Sequence, residues 1–592
     1  MRESIPQAAA PGQPNRLRGK ALPEICADGD TANIIQLFTG GPYRLLWEHG
    51  PIDRATILAY SSSPTDEPSH GAFAMTFPRL LTAIIICLAL LLVLVAAQSL
   101  QWPIGTDSVD FMYMAYLMKS WSLLPYRDFF DINMPGVHLI HFLILSIFGD
   151  CVLGFRIADL LYLLAILTTT FMCMRYFDRQ IGLFSALVFG LVYLKCGLAV
   201  SMERDYFVLL PIALAVMFSV WPLQCADAIR GALIGFMFGL ASLIKVTAAV
   251  GLPVVALFVA LKHDSTASLS SRLDSRAYMT MGCALLSFAA PLFITSLIMF
   301  VNGSLKEFLE ISSGYWPLYL SLDASHRAFS SELHRALYVV NYFFFFGGFG
   351  SLLFAGIFGL FVVLYHSTLG VPQKRFACLL AVLTAVYAVY AALAVKSWPY
   401  HWIVFAYFST LLSSLCILPL VRRTERSMVL FSLAVLCICL VPQIKPPTEF
   451  VRSAAGHLRP SADVHVQASP VEAVADYLRE NMRDDDVVQA LDWGGRTLEA
   501  MLKAKAGTAT PFLYDVMFYH NISASYIREL RKRFLADLDK ARPRFIIDAG
   551  KNKARVSGPD TADDFPELNK MIETSYSLAF EAGGYKVYER RQ

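Results

Sequence analysis

Long apolar runs separated by short polar turns fill the chain between residues 80 and 443. A helix needs about 20 apolar residues to cross a bilayer. Runs near that length cover 80–99, 153–174, 181–199, 206–222, 229–244, 246–262, 279–301, 340–365, 376–395, 402–420 and 427–443. A further run, Val137 to Phe148, lies between Pro135 and Asp150 and is too short to cross comfortably. The positive charges arbitrate, because loops rich in Lys and Arg stay cytoplasmic. Arg175 and Arg179, then Lys262, Arg272 and Arg276, then Lys374 and Arg375, then Arg422, Arg423 and Arg426 share one face only if 137–148 does not cross. The pattern predicts eleven crossings, a cytoplasmic N-terminus and an interfacial or re-entrant helix over 137–148. The opposite, external face then collects Trp102–Pro135, Glu203–Asp205, Lys245, Asn302–Leu337, Lys396–His401 and everything after Pro442.

The two ends follow other patterns. Residues 1–74 are polar, rich in Pro, Ala and Gly, and lack the charged start and apolar run of a signal peptide. They are expected to be a disordered extension or a misassigned start, with Met75 as the natural beginning. Residues 75–448 read as the membrane domain, with an external loop over 100–136. Residues 449–592 alternate instead. "SPVEAVADYLRENM" and "SASYIRELRKRFLADLDKA" have helical spacing, and "DVVQALDW", "RFIIDAG" and "GYKVYERR" read as short strands. The expected fold is a polytopic α-helical membrane protein, with about eleven spans plus an interfacial helix, carrying a small C-terminal extracytoplasmic α/β domain.

Composition agrees with a chain whose solvent is largely lipid. Of 592 residues, 56% are hydrophobic and 16% charged, against roughly 25% charged in ordinary soluble proteins. A net charge of +3 gives no electrostatic case for nucleic acid. The 11 cysteines lie mostly in or beside apolar segments and form no CxxC pair, so neither a disulfide framework nor a zinc site is expected. The C-terminal part has no GxGxxG or P-loop pattern and offers no nucleotide site.

Candidate chemistry gathers on the external face. Asp107, Asp110, Asp128 and Asp131 fall in one stretch, interleaved with Phe111, Tyr113, Tyr116, Tyr126, Phe129 and Phe130. Such a loop has a bland reading, acids for solvation and aromatics for anchoring at headgroups. Three further external turns weaken it. "MERDYF" brings Glu203, Arg204 and Asp205; "LASLIKVTAA" places Lys245 between apolar runs; "VKSWPYHW" brings Lys396, Tyr400 and His401. A charge at the bilayer centre costs about 2.5–3.5 kcal/mol on insertion scales. Singly these are a helix cap, a snorkelling lysine and an interfacial anchor; their shared face points to a site.

The arrangement resembles the GT-C membrane glycosyltransferases, in particular the relatives of dolichyl-phosphate-mannose–protein mannosyltransferases and lipid A aminoarabinose transferases. The resemblance covers roughly residues 76–592. It rests most sharply on Asp107 to Gly136 with its "PYRDFFDINMPG", and more weakly on Asp205, on Lys245 after "FGLASLI" and on His401. Trp121-Ser122, Met134 in place of a frequent first Pro, and "YHW" in place of "HYY" depart from the family pattern, which leaves donor and acceptor classes open.

The resemblance implies a sugar, hexosyl or pentosyl, carried on a polyprenyl phosphate. It would pass to a hydroxyl or amine of a glycan, lipid or protein acceptor at the external face of a bacterial inner membrane, with inversion. It implies no cofactor, with a divalent metal left open. Asp107 is the expected general base, since partial removal from water makes a carboxylate a better proton acceptor; Asp110 competes for the role. Arg127, Arg204 and Lys245 are candidates for the donor phosphate, and His401 either joins them or anchors its helix. Asp128, Asp131, Tyr126 and Asp205 are candidates for sugar or acceptor. In "YRDFFDINMPG", charge is expected toward the site and aromatic bulk toward lipid.

Other readings are a secondary transporter or lipid-carrier flippase, an O-antigen ligase or polymerase, and a receptor module on a membrane anchor. Transporters place intramembrane charges near the midplane on broken helices, often within inverted repeats. This chain shows no internal repeat, and its charges cluster at one interface.

Overall fold

The computed structural model describes residues 76–592 except 222–224, 262–273, 323–331, 342–347, 394–397, 423, 445–468, 484, 555 and 557–559. The expected N-terminal extension and Lys262, Arg272, Lys396 and Arg423 lie outside the described residues.

Among the described residues, seven helices are long and apolar enough to cross a membrane: Arg79–Ser99, Val152–Met174, Arg179–Ala199, Asp227–Ile244, Ser275–Val301, Val371–Leu393 and Pro399–Arg422. They mark an integral membrane protein. Pro135–Phe148, Val246–Ala260, Phe349–Tyr365 and Arg426–Leu440 are shorter apolar helices. The apolar run expected over 206–222 is a short helix, Arg204–Phe207, followed by Leu209–Val220. Pro399–Arg422 is buried except at its ends, whereas Arg79–Ser99 is mostly exposed at the periphery. Asp227–Ile244 packs tightly on Ser275–Val301 because Gly231, Gly235 and Gly239 present one bare edge. A Cβ on any of the three would collide with the facing backbone at Thr280, Ala284 or Phe288. That helix stops at Lys245, whose backbone turns extended (φ −153°, ψ 111°) before the 3₁₀ turn Val246–Gly251.

The stretch expected as a loop over 100–136 carries a helix, Thr106–Ser120, with Asp107 in its first turn, where the helix dipole favours negative charge. Beyond it, Ser122 and Tyr126 take positive φ (54° and 69°) and the chain folds back, Tyr126 N–H donating to Phe129 O at 2.9 Å. Pro135 then starts the helix Pro135–Phe148, whose fixed φ suits a first helical position. Gly136 lets that helix lie against the end of Asp227–Ile244, since a Cβ there would stand 2.6 Å from Leu243 O.

Residues 470–590 build a five-stranded sheet, β1 (Val487–Leu491), β2 (Gly507–Thr508), β3 (Phe545–Asp548), β4 (Tyr576–Ala582) and β5 (Tyr585–Arg590), in the order β2-β1-β3-β5-β4. β2, β1 and β3 run parallel, crossed by the helices Thr497–Ala504 and Ser525–Ala541; β5 is antiparallel to both of its neighbours. β1 is almost wholly buried, as a central parallel strand must be. This α/β portion is sewn to the 100–136 stretch. Phe130 N–H donates to Pro511 O at 2.7 Å, Tyr116 Oη to Lys505 O at 2.7 Å and Tyr113 Oη to Ala506 O at 3.1 Å.

That docking corrects one expectation. Tyr126, Phe129 and Phe130 are buried in protein instead of facing lipid. Phe130 packs on Tyr315 and stacks on Phe512, with centroids 5.4 and 5.8 Å away. Tyr126 and Phe129 pack instead on His138, and Tyr126 also on Phe308, so of the three rings Phe130 is the one that meets the C-terminal portion.

Candidate functional site

Asp107 and Asp110 are three residues apart on one helix and so share a face. They look into a cavity of about 310 Å³ completed by Asp131, Asn133 and Arg204, by Tyr319, Trp398 and Tyr400, and by Trp493, Gly494, Tyr514 and Ala554 of the C-terminal portion. Among the described residues that line it, Arg204 is the one cation. Its Nη1 donates to Asn133 Oδ1, and its Nη2 donates to Tyr400 Oη at 2.9 Å and lies 3.4 Å from Asp107 Oδ2. The guanidinium also sits over the rings of Tyr400 and Phe111, 5.5 and 5.9 Å from their centroids.

Asp131 is fully buried. It accepts hydrogen bonds from the Asn133 N–H and Nδ2, both at 3.0 Å, and from Tyr514 Oη, while His138 Nε2 stands 3.0 Å away. Burial alone would raise its pKa; the His138 contact, the Tyr514 hydroxyl and the Asn133 N–H outweigh burial and hold the carboxyl below its usual value. Asp110 is the opposite case. Burial, then the charges of Asp107, Asp492 and Asp131, push its carboxyl well above the ordinary range. Asp107, with 43% of its side chain exposed, is the carboxylate that opens to the cavity.

A second, larger cavity adjoins the first. This groove, about 860 Å³, is lined by Val246, Val250, Val386, Val389, Leu393 and Leu320 together with Lys245, Arg204 and His401. Arg204, Tyr319, Trp398 and Tyr400 belong to both walls. Lys245 Nζ donates to both oxygens of Asp205, at 2.9 and 2.7 Å. Among the described residues, His401 Nδ1 and Arg204 Nε are buried without a hydrogen-bond partner. Acidic groups thus lie on one side of Arg204, and an apolar groove with two further basic side chains on the other.

The structure brings Asp107, Asp110, Asp131 and Arg204 together at the acidic cavity, and Arg204, Lys245 and His401 at the groove. Four other sequence candidates fall outside both. Arg127 is 44% exposed and spends its guanidinium on Asp128, at 2.9 and 2.7 Å, and on Asn302 O. Asp128 also accepts from Leu124 N–H, so this pair pins the local turn. Tyr126 is buried, with its hydroxyl on Asn133 O at 2.5 Å. Asp205 is fully buried, with Lys245 and Tyr390 both donating to it.

Asn133, Tyr319, Trp398, Trp493 and Tyr514 escaped sequence reasoning as site residues. Asn133 sits inside the quoted motif and Trp398 inside "VKSWPYHW", but nothing local marks Trp493 or Tyr514, which long-range folding delivers. Among the described residues, no group of three or more His, Cys, Asp and Glu converges as a metal site.

No protein-family model matches the chain, and no curated protein matches it in sequence. Among solved structures it is similar to the archaeal oligosaccharyltransferase AglB from Archaeoglobus fulgidus in complex with an inhibitory peptide and a dolichol-phosphate (12% identity, TM-score 0.41, covering 85% of this chain and 74% of that one). It is also similar to ArnT from Cupriavidus metallidurans bound to undecaprenyl phosphate (12% identity, TM-score 0.40, covering 86% of this chain and 98% of that one).

Proposed function

We propose that this protein is a membrane glycosyltransferase that moves a hexosyl or pentosyl group from a polyprenyl-phosphate donor to an acceptor hydroxyl or amine. The observation that carries the reading is the junction at Arg204, where an apolar groove bearing Lys245 and His401 meets a carboxylate-lined cavity. A lipid-linked phosphate needs apolar wall for its tail and cations for its headgroup, while glycosyl transfer needs a base beyond it. The eleven-span topology read from the sequence supports an external face for this junction, and the family resemblance supports a bacterial inner membrane. The membrane domain is then 75–448, and the soluble domain 449–592 is extracytoplasmic.

In this mechanism the prenyl chain lies along the groove and the donor phosphate takes hydrogen bonds from Arg204 and Lys245. Asp107 accepts the proton of the acceptor as its oxygen or nitrogen bonds to the anomeric carbon. The bond from that carbon to the phosphate oxygen breaks on the far side, so the configuration inverts. The electron pair leaves on the phosphate, where the two cations stabilise it. Asp110, whose partial burial favours the protonated form, donates a hydrogen bond to the sugar or acceptor, so the neighbouring carboxyls divide acid and base duties.

The test uses the purified full-length protein in lipid, titrated with short-chain polyprenyl-phosphate sugars. Donor binding and sugar release are measured separately for wild type and Asp107→Asn. The reading expects donor binding by both and a turnover loss of about 10²–10⁴-fold in the variant, the usual worth of a general base. Absence of donor binding in wild type overturns it, and donor movement between leaflets without bond cleavage replaces it with the flippase.

A further inference from the structure

The acidic cavity has two walls of separate origin, and only one belongs to the membrane portion. The other is made by the carboxyl ends of the parallel strands of the C-terminal sheet. Trp493 and Gly494 follow β1, Tyr514 follows β2 and Ala554 follows β3, and all four line the cavity. Open parallel sheets bind ligands at that end of their strands.

The turn after β1 is built with some care. Buried Asp492 accepts from Gly495 N–H, Thr497 N–H and the Thr497 hydroxyl, each at 2.7 Å. Gly494 takes φ +72°, and a Cβ on Gly495 would stand 2.5 Å from Asp492 Oδ1 and 2.9 Å from Ala549 Cβ. The Trp493 carbonyl is fixed in turn by Ala554 N–H at 2.9 Å. The backbone is therefore held on both sides, and it leaves the Trp493 ring partly exposed at the cavity next to Tyr514, with centroids 5.9 Å apart and planes at 60°. Among the described residues nothing accepts a hydrogen bond from the indole N–H.

Resting on the glycosyltransferase reading, we infer that this wall is the acceptor side of the site and that the acceptor is an uncharged carbohydrate, one sugar ring lying against Trp493. A pyranose offers a flat face of C–H groups that packs on an aromatic plane, and a rim of hydroxyls that seeks carboxylates and amides. Trp493 supplies the plane, and Asp107, Asp110 and Asn133 on the opposite wall supply the polar partners. An extended peptide has no such flat apolar face. A phosphorylated acceptor would meet Asp107, Asp110 and Asp131, and Arg204, the one cation among the described lining residues, is given to the donor phosphate.

The experiment compares wild type, Trp493→Ala and Trp493→Phe as full-length protein in lipid nanodiscs, supplied with a short-chain polyprenyl-phosphate sugar that wild type binds. The acceptor probes are a panel of methyl glycosides and a serine- and threonine-containing peptide. Expected is transfer to a glycoside in preference to the peptide, and a rise of about tenfold in acceptor KM for Trp493→Ala, from loss of the ring contact. Donor affinity and kcat should stay near wild type, and Trp493→Phe should recover most of the KM. Unchanged acceptor KM in Trp493→Ala, preference for the peptide, or donor hydrolysis without transfer to any glycoside overturns the inference and leaves the glycosyltransferase reading standing. If wild type binds no donor, the reading itself falls and takes the inference with it. Should Trp493→Ala lose donor affinity, a sign of misfolding, saturation-transfer NMR on wild type decides. Saturation passing from aromatic protons to one glycoside face supports the stacking, and its absence overturns it.

Discussion

Two carboxyl groups a helical turn or less from each other are in different electrostatic situations, and that difference is testable residue by residue. Asp110 is partly buried and faces the charges of Asp107, Asp492 and Asp131, so it keeps its proton to a higher pH in the folded protein than in the unfolded chain, where an aspartate titrates near about 3.9. A pKa raised by folding contributes stability that is whole below the unfolded value and is lost as pH rises through the folded one. Wild type should therefore lose stability relative to Asp110→Asn as pH climbs from about 4 toward neutrality and beyond. Thermal unfolding of both proteins in lipid between those limits checks it; a difference in melting temperature that does not grow with pH would sink the assignment. The sequence showed Asp107 and Asp110 side by side and could not separate them. What distinguishes them is first the removal of Asp110 from water, and then neighbouring charges that include Asp492, which only the folded C-terminal portion brings near. Arg204 was similarly half legible: its charge stood out on the external face, but its partners Asn133 and Tyr400 lie in other segments.

At the scale of elements, the helices were mostly readable and their breaks were not. The long apolar runs at 80–99, 153–174 and 279–301 became helices close to their expected bounds, because apolar length alone specifies them. The helix Thr106–Ser120 was missed because it buries residues on most of its circumference against other protein, which erases the one-sided pattern that betrays a surface helix. In the C-terminal portion, helix 470–481 and strands β1, β3 and β5 were legible, while the two-residue β2 and the mostly exposed β4 were not. Pro135-Gly136 was half legible too. Pro135 explains itself as a helix start, but Gly136 is explained by Leu243, far along the chain, which it touches two residues before Lys245. A methyl there meets Leu243 O at 2.6 Å and its carbonyl carbon at 2.7 Å, backbone atoms that cannot swing aside. Gly136→Ala should destabilise by about 1–3 kcal/mol through overpacking and weaken donor binding by displacing Lys245. Gly282→Ala, with nothing within 4 Å of its Cβ position, is the control and should be neutral or slightly stabilising. Equal behaviour of the two in unfolding and donor-binding assays would show that the Gly136 contact does not hold the lysine turn in place.

At the scale of the molecule, the site is divided between the membrane portion and residues 470–590, and neither half closes the cavity alone. That division is the part least legible from sequence, because a soluble tail after the last apolar helix carries no mark of where it docks. Beside the Thr106–Ser120 helix, the docking engages the stretch whose aromatics the sequence assigned to lipid. Phe130 stacks on Phe512, its backbone N–H donates to Pro511 O, and one residue further on Asp131 receives the Tyr514 hydroxyl. If these contacts fasten the wall from the C-terminal portion to the wall that carries Asp107 and Asp110, loosening one must loosen both. Phe130→Ala removes a buried ring, a change that costs roughly 3–5 kcal/mol in packed cores, and it leaves every cavity-lining side chain in place. Hydrogen exchange should then rise together in residues 123–135 and in residues 506–514, while the Asp227–Ile244 and Ser275–Val301 helices keep their protection. Transfer to acceptor should fall more than donor affinity, because the groove lies within the membrane portion. Faster exchange confined to 123–135 would mean that the C-terminal portion is held by its other contacts, such as Tyr116 with Lys505 and Arg496 with Ile104. The two walls would then be joined at the rim of the cavity and not through its floor.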